Sequence, residues 1–187
     1  SCHTFLGEER MVVLHTDLDN TIIYSYKHDI GPAKRNVEWY QGREISFITE
    51  KTYELLQQVN KEMLIVPTTT RTIEQYRRIG LGIGAFPYAL VCNGGILLVN
   101  GRSDESWYQE SLRMIAGSET ELKKAIHMLG NDPRRKFELR FIEQLFVFTK
   151  CSEPKAVVDD LRGALDTGLA DVFHNGEKVY VVPSALN

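Results

Sequence analysis

Two aspartates separated by one residue, Asp17 and Asp19, are the side chains in this sequence best suited to chemistry. The apolar run Met11–Leu14 precedes them, and its short length and valines predict a buried strand. Ligands bind beyond the carboxyl ends of strands in open parallel sheets. One carboxylate could attack an electrophile such as phosphorus, and the other could give and take protons. Their oxygens also suit a hard cation such as Mg²⁺.

A D-x-D pair alone does not establish catalysis. The two aspartates could be turn formers whose side chains accept hydrogen bonds from local backbone N–H groups. A calcium loop of the EF-hand type is excluded because it needs Gly at its sixth position and Glu at its twelfth. Those positions hold Ile22 and His28. From the pair by itself, both the turn and the catalytic interpretations stay open.

A second apolar run, Met63–Val66, ends at a cluster of hydroxyls, Thr68, Thr69 and Thr70, followed by Arg71. A helix should begin directly afterwards, because Thr72-Ile73-Glu74-Gln75 has the spacing of a capping box. Hydroxyls beside a helix N-terminus favour anion binding. The alternative is that these threonines only cap the helix.

A third short strand is predicted at Tyr88–Cys92, and it ends at Asn93-Gly94-Gly95. Glycines at this place would let the backbone approach a ligand closely. Taken alone, the tripeptide predicts only a turn.

These strands alternate with other elements over the first half of the chain. Residues 24–45 are polar and aromatic with Gly31-Pro32 as a turn signal, so we expect a β-hairpin flap there. Glu50–Lys61 has apolar residues on one face and predicts an amphipathic helix. Strands alternating with helices predict a parallel sheet with covering helices. The flap brings aromatic and basic residues near the site, which could select an anionic substrate or pack on the core: Tyr24, Tyr26, Lys27, Lys34 and Arg35.

The second half predicts a separate α+β unit. Its expected elements are a hairpin of Ile96–Val99 and Glu105–Tyr108 around Asn100-Gly101, a helix at 119–129, strands Lys136–Arg140 and Leu145–Thr149, a helix Pro154–Leu165, and a hairpin of Ala170–His174 and Lys178–Pro183. We therefore expect a core over residues 1–98, an α+β cap over 99–183, and the start of a return to the core at 184–187.

Composition excludes several classes of protein. A formal net charge of −3 over 187 residues argues against a general nucleic-acid binder, which normally carries a basic surplus. The sequence contains no apolar run of the roughly 20 residues that span a bilayer, so no membrane partner is expected. Cys2, Cys92 and Cys151 are far apart and odd in number, which indicates reduced thiols in a cytoplasmic protein.

The string from Val12 to Ile23 resembles the first motif of the haloacid dehalogenase superfamily, an apolar strand followed by D-x-D-x-T. The resemblance implies that Asp17 is a nucleophile that forms an aspartyl-phosphate. It implies that Asp19 is the general acid and base. It also implies that Mg²⁺ is bound by Asp17 and by the backbone carbonyl of Asp19. Asn20 stands where Gly is commonest in the family.

The later motifs resemble the branch with large α/β caps, the Cof-type sugar phosphatases of subfamily IIB. Thr69-Thr70-Arg71 is similar to the T-G-R string of that branch, with Thr70 where Gly is expected. The resemblance implies phosphate binding by Thr69 and Arg71, although Thr68 or Thr70 could be the ligand instead. Asn93-Gly94 is similar to the segment that leads into the cap, and is assigned to phosphate binding too.

The resemblance implies an α/β fold, a Rossmannoid parallel-sheet core with an inserted α+β cap. It implies Mg²⁺-dependent hydrolysis of a small phosphomonoester, such as a sugar phosphate. A phosphotransferase or phosphomutase and a noncatalytic phosphate-binding module are the alternatives.

The family also has a Lys and an acidic motif after the last cap strand, and no segment here takes their place, Lys155 and Lys178 included. We therefore expect a second chain or a further C-terminal segment to complete the core. Without it, the first strand would be an exposed apolar edge.

Overall fold

A computed structural model describes residues 11–186. In chain order its elements are β1 (Val13–Asp17), β2 (Tyr24–Ser25), β3 (Lys34–Tyr40), β4 (Arg43–Thr49), α1 (Glu50–Glu62), β5 (Leu64–Thr68), α2 (Ile73–Arg77), β6 (Tyr88–Val91), β7 (Ile96–Val99), β8 (Arg102–Ser103), α3 (Glu105–Ile115), α4 (Glu119–Gly130), β9 (Arg140–Ile142), β10 (Phe146–Lys150), α5 (Pro154–Ala164), β11 (Ala170–Asn175) and β12 (Lys178–Pro183). Cys2 lies outside the described residues.

The core sheet has five strands in the order β1-β5-β6-β7-β8. β1, β5 and β6 run parallel, which confirms the alternation predicted from the sequence and the α/β fold. β7 and β8 continue the sheet antiparallel, joined by a turn at Asn100-Gly101 with φ of 50° and 81°. This hairpin lies across the boundary predicted at residue 99.

β1 lies at the edge of this sheet and, within residues 11–186, pairs only with β5. Met11, Val12 and Val13 are 74%, 53% and 43% exposed. The prediction of a buried strand is therefore wrong for this segment, because a strand with one neighbour keeps an open side. The expectation of an exposed apolar edge is confirmed.

The expected flap is a three-stranded antiparallel sheet in the order β2-β4-β3. Its tight turn falls at Gln41-Gly42, with φ of 51° and 73°, and not at Gly31-Pro32. The flap packs Val37 and Ile48 onto Ile23 and onto Leu56 of α1. α1 ends one residue after its predicted end at Lys61. Its predicted apolar face, Tyr53, Leu56 and Val59, packs in the same cluster.

The cap sheet, β9 to β12, is antiparallel in the order β11-β12-β10-β9. α4 and α5 cover one of its faces through an apolar core that includes Leu122, Leu161, Val147, Val179 and Val181. The opposite face turns toward the core, where Phe148, Phe173 and Tyr180 pack against the cluster that contains Val91 and Cys92. No helix in the described part of the chain is long and apolar enough to cross a membrane.

Two elements differ from the sequence prediction. Glu105–Tyr108 begins α3 instead of forming a strand, because the Asp104 carboxylate accepts a hydrogen bond from the Trp107 N–H and caps the helix. Most of Lys136–Arg140 is irregular, and β9 starts only at Arg140. There the Phe137 carbonyl accepts from the Thr149 hydroxyl, which replaces a backbone ladder bond.

Candidate functional site

The three motifs singled out in the sequence meet at the carboxyl end of the parallel strands. Asp17, the last residue of β1, pairs with Thr68, the last residue of β5. Backbone bonds join the next segments, from Thr69 N–H to the Leu90 carbonyl (2.9 Å), Asn93 N–H to the Thr69 carbonyl (3.0 Å) and Cys92 N–H to the Arg71 carbonyl (2.8 Å). The sheet itself thus positions the candidate residues around one place.

Asp17 is exposed, and one of its carboxylate oxygens accepts a hydrogen bond from the Leu18 N–H at 2.9 Å. Among residues 11–186 this is the single hydrogen bond to its side chain, so the second oxygen is not held by another protein group. An exposed carboxylate fixed on one side is well arranged to attack a ligand in the cleft.

Arg71 binds the carboxylate of Asp19 with two hydrogen bonds, Nε to Oδ2 at 2.7 Å and Nη2 to Oδ1 at 2.9 Å. This bidentate pairing fixes the orientation of the carboxylate as well as its charge. The turn between the two aspartates and the flap needs φ of 62° at Asn20. Gly adopts such a left-handed conformation freely, and Asn adopts it more readily than most residues.

A buried carboxylate that the sequence did not reveal, Glu38, lies behind Arg71. It is 1% exposed and accepts hydrogen bonds from Arg71 (2.8 and 3.0 Å), Arg78 (3.0 Å) and the Ser46 hydroxyl (2.6 Å). Burial by itself would raise the pKa of Glu38, but the hydrogen bonds from Arg71 and Ser46 outweigh it and lower this pKa below its ordinary value. Glu38 therefore stays ionised and holds Arg71 in place.

All five N–H groups of Arg71 are donated within the protein, the last of them to the Gln75 carbonyl at 3.2 Å. Burial would lower the pKa of Arg71, but Asp19 and Glu38 raise it above its ordinary value. No donor is left for a phosphate in this arrangement. The assignment of Arg71 to phosphate binding stays a prediction, and the geometry favours a role in positioning Asp19.

The three threonines after β5 differ in their surroundings. Thr69 is 3% exposed and its hydroxyl accepts from the Arg71 N–H at 3.1 Å, whereas Thr70 is exposed. In the described part of the chain, the Thr68 hydroxyl is the one buried side-chain polar atom without a hydrogen-bond partner. An unpartnered buried hydroxyl costs about 1–3 kcal/mol. Because it neighbours Asp17 across the strand pair, a ligand oxygen bound there would remove this cost.

Asn93 and Gly94 connect the core to other elements. The Asn93 amide donates to the Leu186 carbonyl at 2.5 Å, and the Gly94 carbonyl accepts from the Trp107 indole N–H at 2.9 Å. Both residues have positive φ, 61° and 86°, so the chain turns sharply after β6. Their assignment to phosphate binding stays a prediction.

Comparison with known proteins identifies the fold of this chain. No family model matches the chain, and no curated protein matches it. Among solved structures, a sucrose-phosphatase from Synechocystis sp. PCC6803, in complex with sucrose and phosphate, is similar over 93% of this chain and 64% of that chain, with a TM-score of 0.54 and 13% identity. The chain has a haloacid-dehalogenase-like fold.

Other solved structures are similar at lower scores. A trehalose-6-phosphate phosphatase from Aspergillus fumigatus has a TM-score of 0.49 and 13% identity over 95% of this chain and 63% of that chain. An IMP-nucleotidase from Plasmodium falciparum has a TM-score of 0.48 and 14% identity over 73% of this chain and 48% of that chain. This chain thus spans less than two thirds of the length of each of the three structures.

In this haloacid-dehalogenase-like fold, Lys178 and Tyr180 of the cap sheet lie within the electrostatic influence of Asp19. Burial, together with the negative charge of Asp19, raises the pKa of Tyr180 on β12. The loss of solvent around the Lys178 ammonium group and the positive charge of Lys150 lower the pKa of Lys178. The positive charge of Arg71 lowers this pKa further, and the negative charge of Asp19 raises it. Lys178 and Tyr180 were not assigned to the site from the sequence, although strand alternation along β12 would have placed both on one face.

The residues at the end of β1 fit Mg²⁺ in part. The described residues contain no group of three or more His, Cys, Asp or Glu side chains that could hold a metal ion. Mg²⁺ is, however, usually bound through one or two carboxylates together with waters and substrate phosphates. Asp17 fits this pattern, because one of its oxygens has no partner among residues 11–186. At Asp19 the resemblance assigns metal binding to the backbone carbonyl and not to the carboxylate, whose two oxygens are bound by Arg71. This assignment stays a prediction.

Proposed function

We propose that this chain is a hydrolase for a small phosphomonoester, such as a sugar phosphate, and that it works through an aspartyl-phosphate on Asp17. The observation that carries the proposal is the pair of aspartates at the end of β1. Asp17 is exposed and open on one side, while Asp19 is held by a buried guanidinium. The likeness in fold to a sucrose-phosphatase supports it.

In the first step, an oxygen of Asp17 attacks phosphorus, and the bond from phosphorus to the leaving oxygen breaks. Asp19 gives its proton to the leaving oxygen. In the second step, Asp19 takes a proton from water, and the water oxygen attacks the phosphorus of the aspartyl-phosphate. The bond from phosphorus to the Asp17 oxygen breaks, which releases phosphate and regenerates the Asp17 carboxylate. The bidentate contact with Arg71 fixes the orientation of the Asp19 carboxylate relative to Asp17.

The hydroxyls of Thr68 and Thr69 would donate hydrogen bonds to the phosphoryl oxygens, since charge on these oxygens is what a phosphoryl-transfer site must stabilise. Mg²⁺, when bound, would neutralise part of that charge, and Asp17 and Asp19 would hold it. A further segment or a second chain would supply the Lys and the acidic motif that the family resemblance implies.

A noncatalytic phosphate-binding module is the second candidate. It is favoured by the bidentate contact of Arg71 with Asp19, because both oxygens of the Asp19 carboxylate then already accept hydrogen bonds. Such a module would bind phosphate esters without turnover. A phosphotransferase or phosphomutase would instead move the phosphoryl group to a second substrate molecule or position, at a rate that depends on that acceptor.

Phosphate release from a panel of phosphomonoesters, with and without Mg²⁺, tests the proposal. The wild-type chain should release phosphate in the presence of Mg²⁺, and the Asp17→Asn variant should not. Asp29→Asn is a matched control, because Asp29 caps a flap turn through the Gly31 N–H and lies outside the site. Turnover that survives in Asp17→Asn would refute the assignment, and binding without turnover in the wild type would favour the second candidate.

A further inference from the structure

The face of the cap sheet that turns toward the cleft carries two lysines side by side. Val179 and Val181 of β12 are buried under the cap helices. Since side chains alternate along a strand, Lys178 and Tyr180 point to the opposite face. Lys150 is paired with Lys178, and Phe148 with Tyr180, in the register of β10 and β12. The two ammonium groups therefore lie on neighbouring strands of the cleft-facing surface.

The negative charge of Asp19 offsets part of the positive charge of Lys178, but the two residues do not form an ion pair. Among residues 11–186 neither Lys150 nor Lys178 forms an ion pair, and Lys150 Nζ instead lies 4.7 Å from the centre of the Phe137 ring. Like charges directly opposite each other on paired strands destabilise a sheet. The flap adds Lys27, whose positive charge contributes to the lowered pKa of Lys178. The two neighbouring lysines on the face of the cap sheet would attract an anion, and the charge of Lys27 adds to their positive potential.

An aromatic wall lies next to these lysines. Ring centres are 5.9 Å apart for Phe137 and Phe148, 5.2 Å for Phe148 and Tyr180, and 5.1 Å for Tyr180 and Phe173. The Arg140 guanidinium lies 5.0 Å from the Phe137 ring, and its charge is paired with Glu138. Aromatic faces of this kind pack against the apolar face of a carbon skeleton, and their edges exclude water.

We propose that Lys150 and Lys178 bind a second anionic group on the substrate, either a carboxylate or a phosphate, while its carbon skeleton lies along Phe148 and Tyr180. This inference rests on the proposed function, because it places the phosphoryl group to be transferred at Asp17. It narrows the substrate class to phosphorylated sugar acids and sugar bisphosphates, and disfavours sugar phosphates that carry a single charged group.

The test compares probes that differ in one charged group. Glucose 6-phosphate is compared with 6-phosphogluconate, which adds a carboxylate, and fructose 6-phosphate with fructose 1,6-bisphosphate, which adds a phosphate. Titration calorimetry on the Asp17→Asn variant at low salt measures binding without turnover. We expect the doubly anionic member of at least one pair to bind about tenfold more tightly, which one ammonium–anion contact at the surface can supply. The pair of probes whose affinities differ shows whether the second anionic group is a carboxylate or a phosphate.

Substitutions then assign this difference to the lysines. Lys150→Met and Lys178→Met should each remove most of the tenfold difference and leave the affinity for the singly anionic probe within about twofold. Lys178→Arg should retain the difference. Lys155→Met is the matched control, because Lys155 is exposed on α5, on the other side of the cap sheet. Raising the salt concentration should reduce the difference, since exposed charges are screened.

The outcomes separate this inference from the proposed function. Equal affinities within both pairs would overturn the second-anion site, even if the wild-type chain hydrolyses the probes. A Lys178→Met variant that weakens all four probes equally would also overturn it, because Lys178 would then bind the transferred phosphoryl group. The chain could instead prefer the doubly anionic probes through the two lysines and hydrolyse none of them. This result would refute the proposed hydrolase function and support the second-anion site.

Discussion

Replacing the buried carboxylate of Glu38 by the amide of glutamine should destabilise the protein and loosen Asp19. Glu38 is 1% exposed and accepts four hydrogen bonds, three of them from Arg71 and Arg78. Removing one partner of a buried ion pair costs about 3–5 kcal/mol, because the other charge is left uncompensated. Arg71 keeps Asp19 as a partner, so we expect a loss at the lower end, about 3 kcal/mol in the free energy of unfolding.

The same substitution should change how stability depends on pH. The folded-state pKa of Glu38 is lowered, so its contribution is complete above the ordinary carboxylate pKa of about 4.3 and is lost as the pH falls toward the folded-state pKa. Glu38→Gln has no such ionisation. The difference in stability between wild type and variant should therefore be largest near pH 7 and should shrink as the pH decreases below about 4.

Urea denaturation followed by tryptophan fluorescence at about pH 7 and about pH 3 measures both effects. A loss of about 3 kcal/mol corresponds to a fall in Tm of about 6–12 °C for a chain of this size. Glu44→Gln is the control, because Glu44 is exposed on the neighbouring strand β4 and should change stability by less than about 0.5 kcal/mol. A loss below about 1 kcal/mol for Glu38→Gln, or an unchanged difference between the two pH values, would refute the reasoning.

Three further results are expected. Thr68→Val should weaken the binding of inorganic phosphate about tenfold without lowering stability, because the Thr68 hydroxyl has no partner in the described residues. A loss of stability with unchanged phosphate affinity would contradict this prediction. Leu122→Ala should lower the free energy of unfolding by about 2–5 kcal/mol in urea denaturation, since Leu122 is fully buried in the cap core. Cys92 and Cys151 are buried, and burial raises the pKa of Cys92 to about 12. Iodoacetamide should therefore modify both thiols in denaturant but not in the folded protein, which peptide mass spectrometry can locate.

Local sequence signals predicted much of the fold because their physics is local. The capping box of Thr72 and Gln75 is present as two reciprocal hydrogen bonds, and Asn100-Gly101 forms its tight turn. The error at Glu105–Tyr108 has a local cause as well. The Asn100-Gly101 turn predicted a returning strand at Glu105–Tyr108. The returning strand is the short β8, and the Asp104 cap then starts a helix.

The centre of the candidate site was less predictable, because it depends on contacts between distant residues. Asp17 and Asp19 were recognised from their spacing, but Glu38 lies 33 residues before Arg71, inside a flap strand with no unusual pattern. Glu38 contacts Arg71 only because the flap packs against the core sheet. The cleft-facing position of Lys178 likewise depends on which face of the cap sheet turns toward the core, which strand alternation alone does not decide.

The most direct test of the central claim is to trap the phosphorylated residue during turnover. The chain is mixed with Mg²⁺ and a phosphomonoester that it hydrolyses, and the reaction is quenched rapidly in acid. Borohydride then reduces an aspartyl-phosphate to homoserine. Peptide mass spectrometry should find homoserine at position 17, and none in the Asp17→Asn variant. Homoserine at another aspartate, or steady phosphate release with position 17 unmodified, would contradict the assignment of Asp17 as the nucleophile.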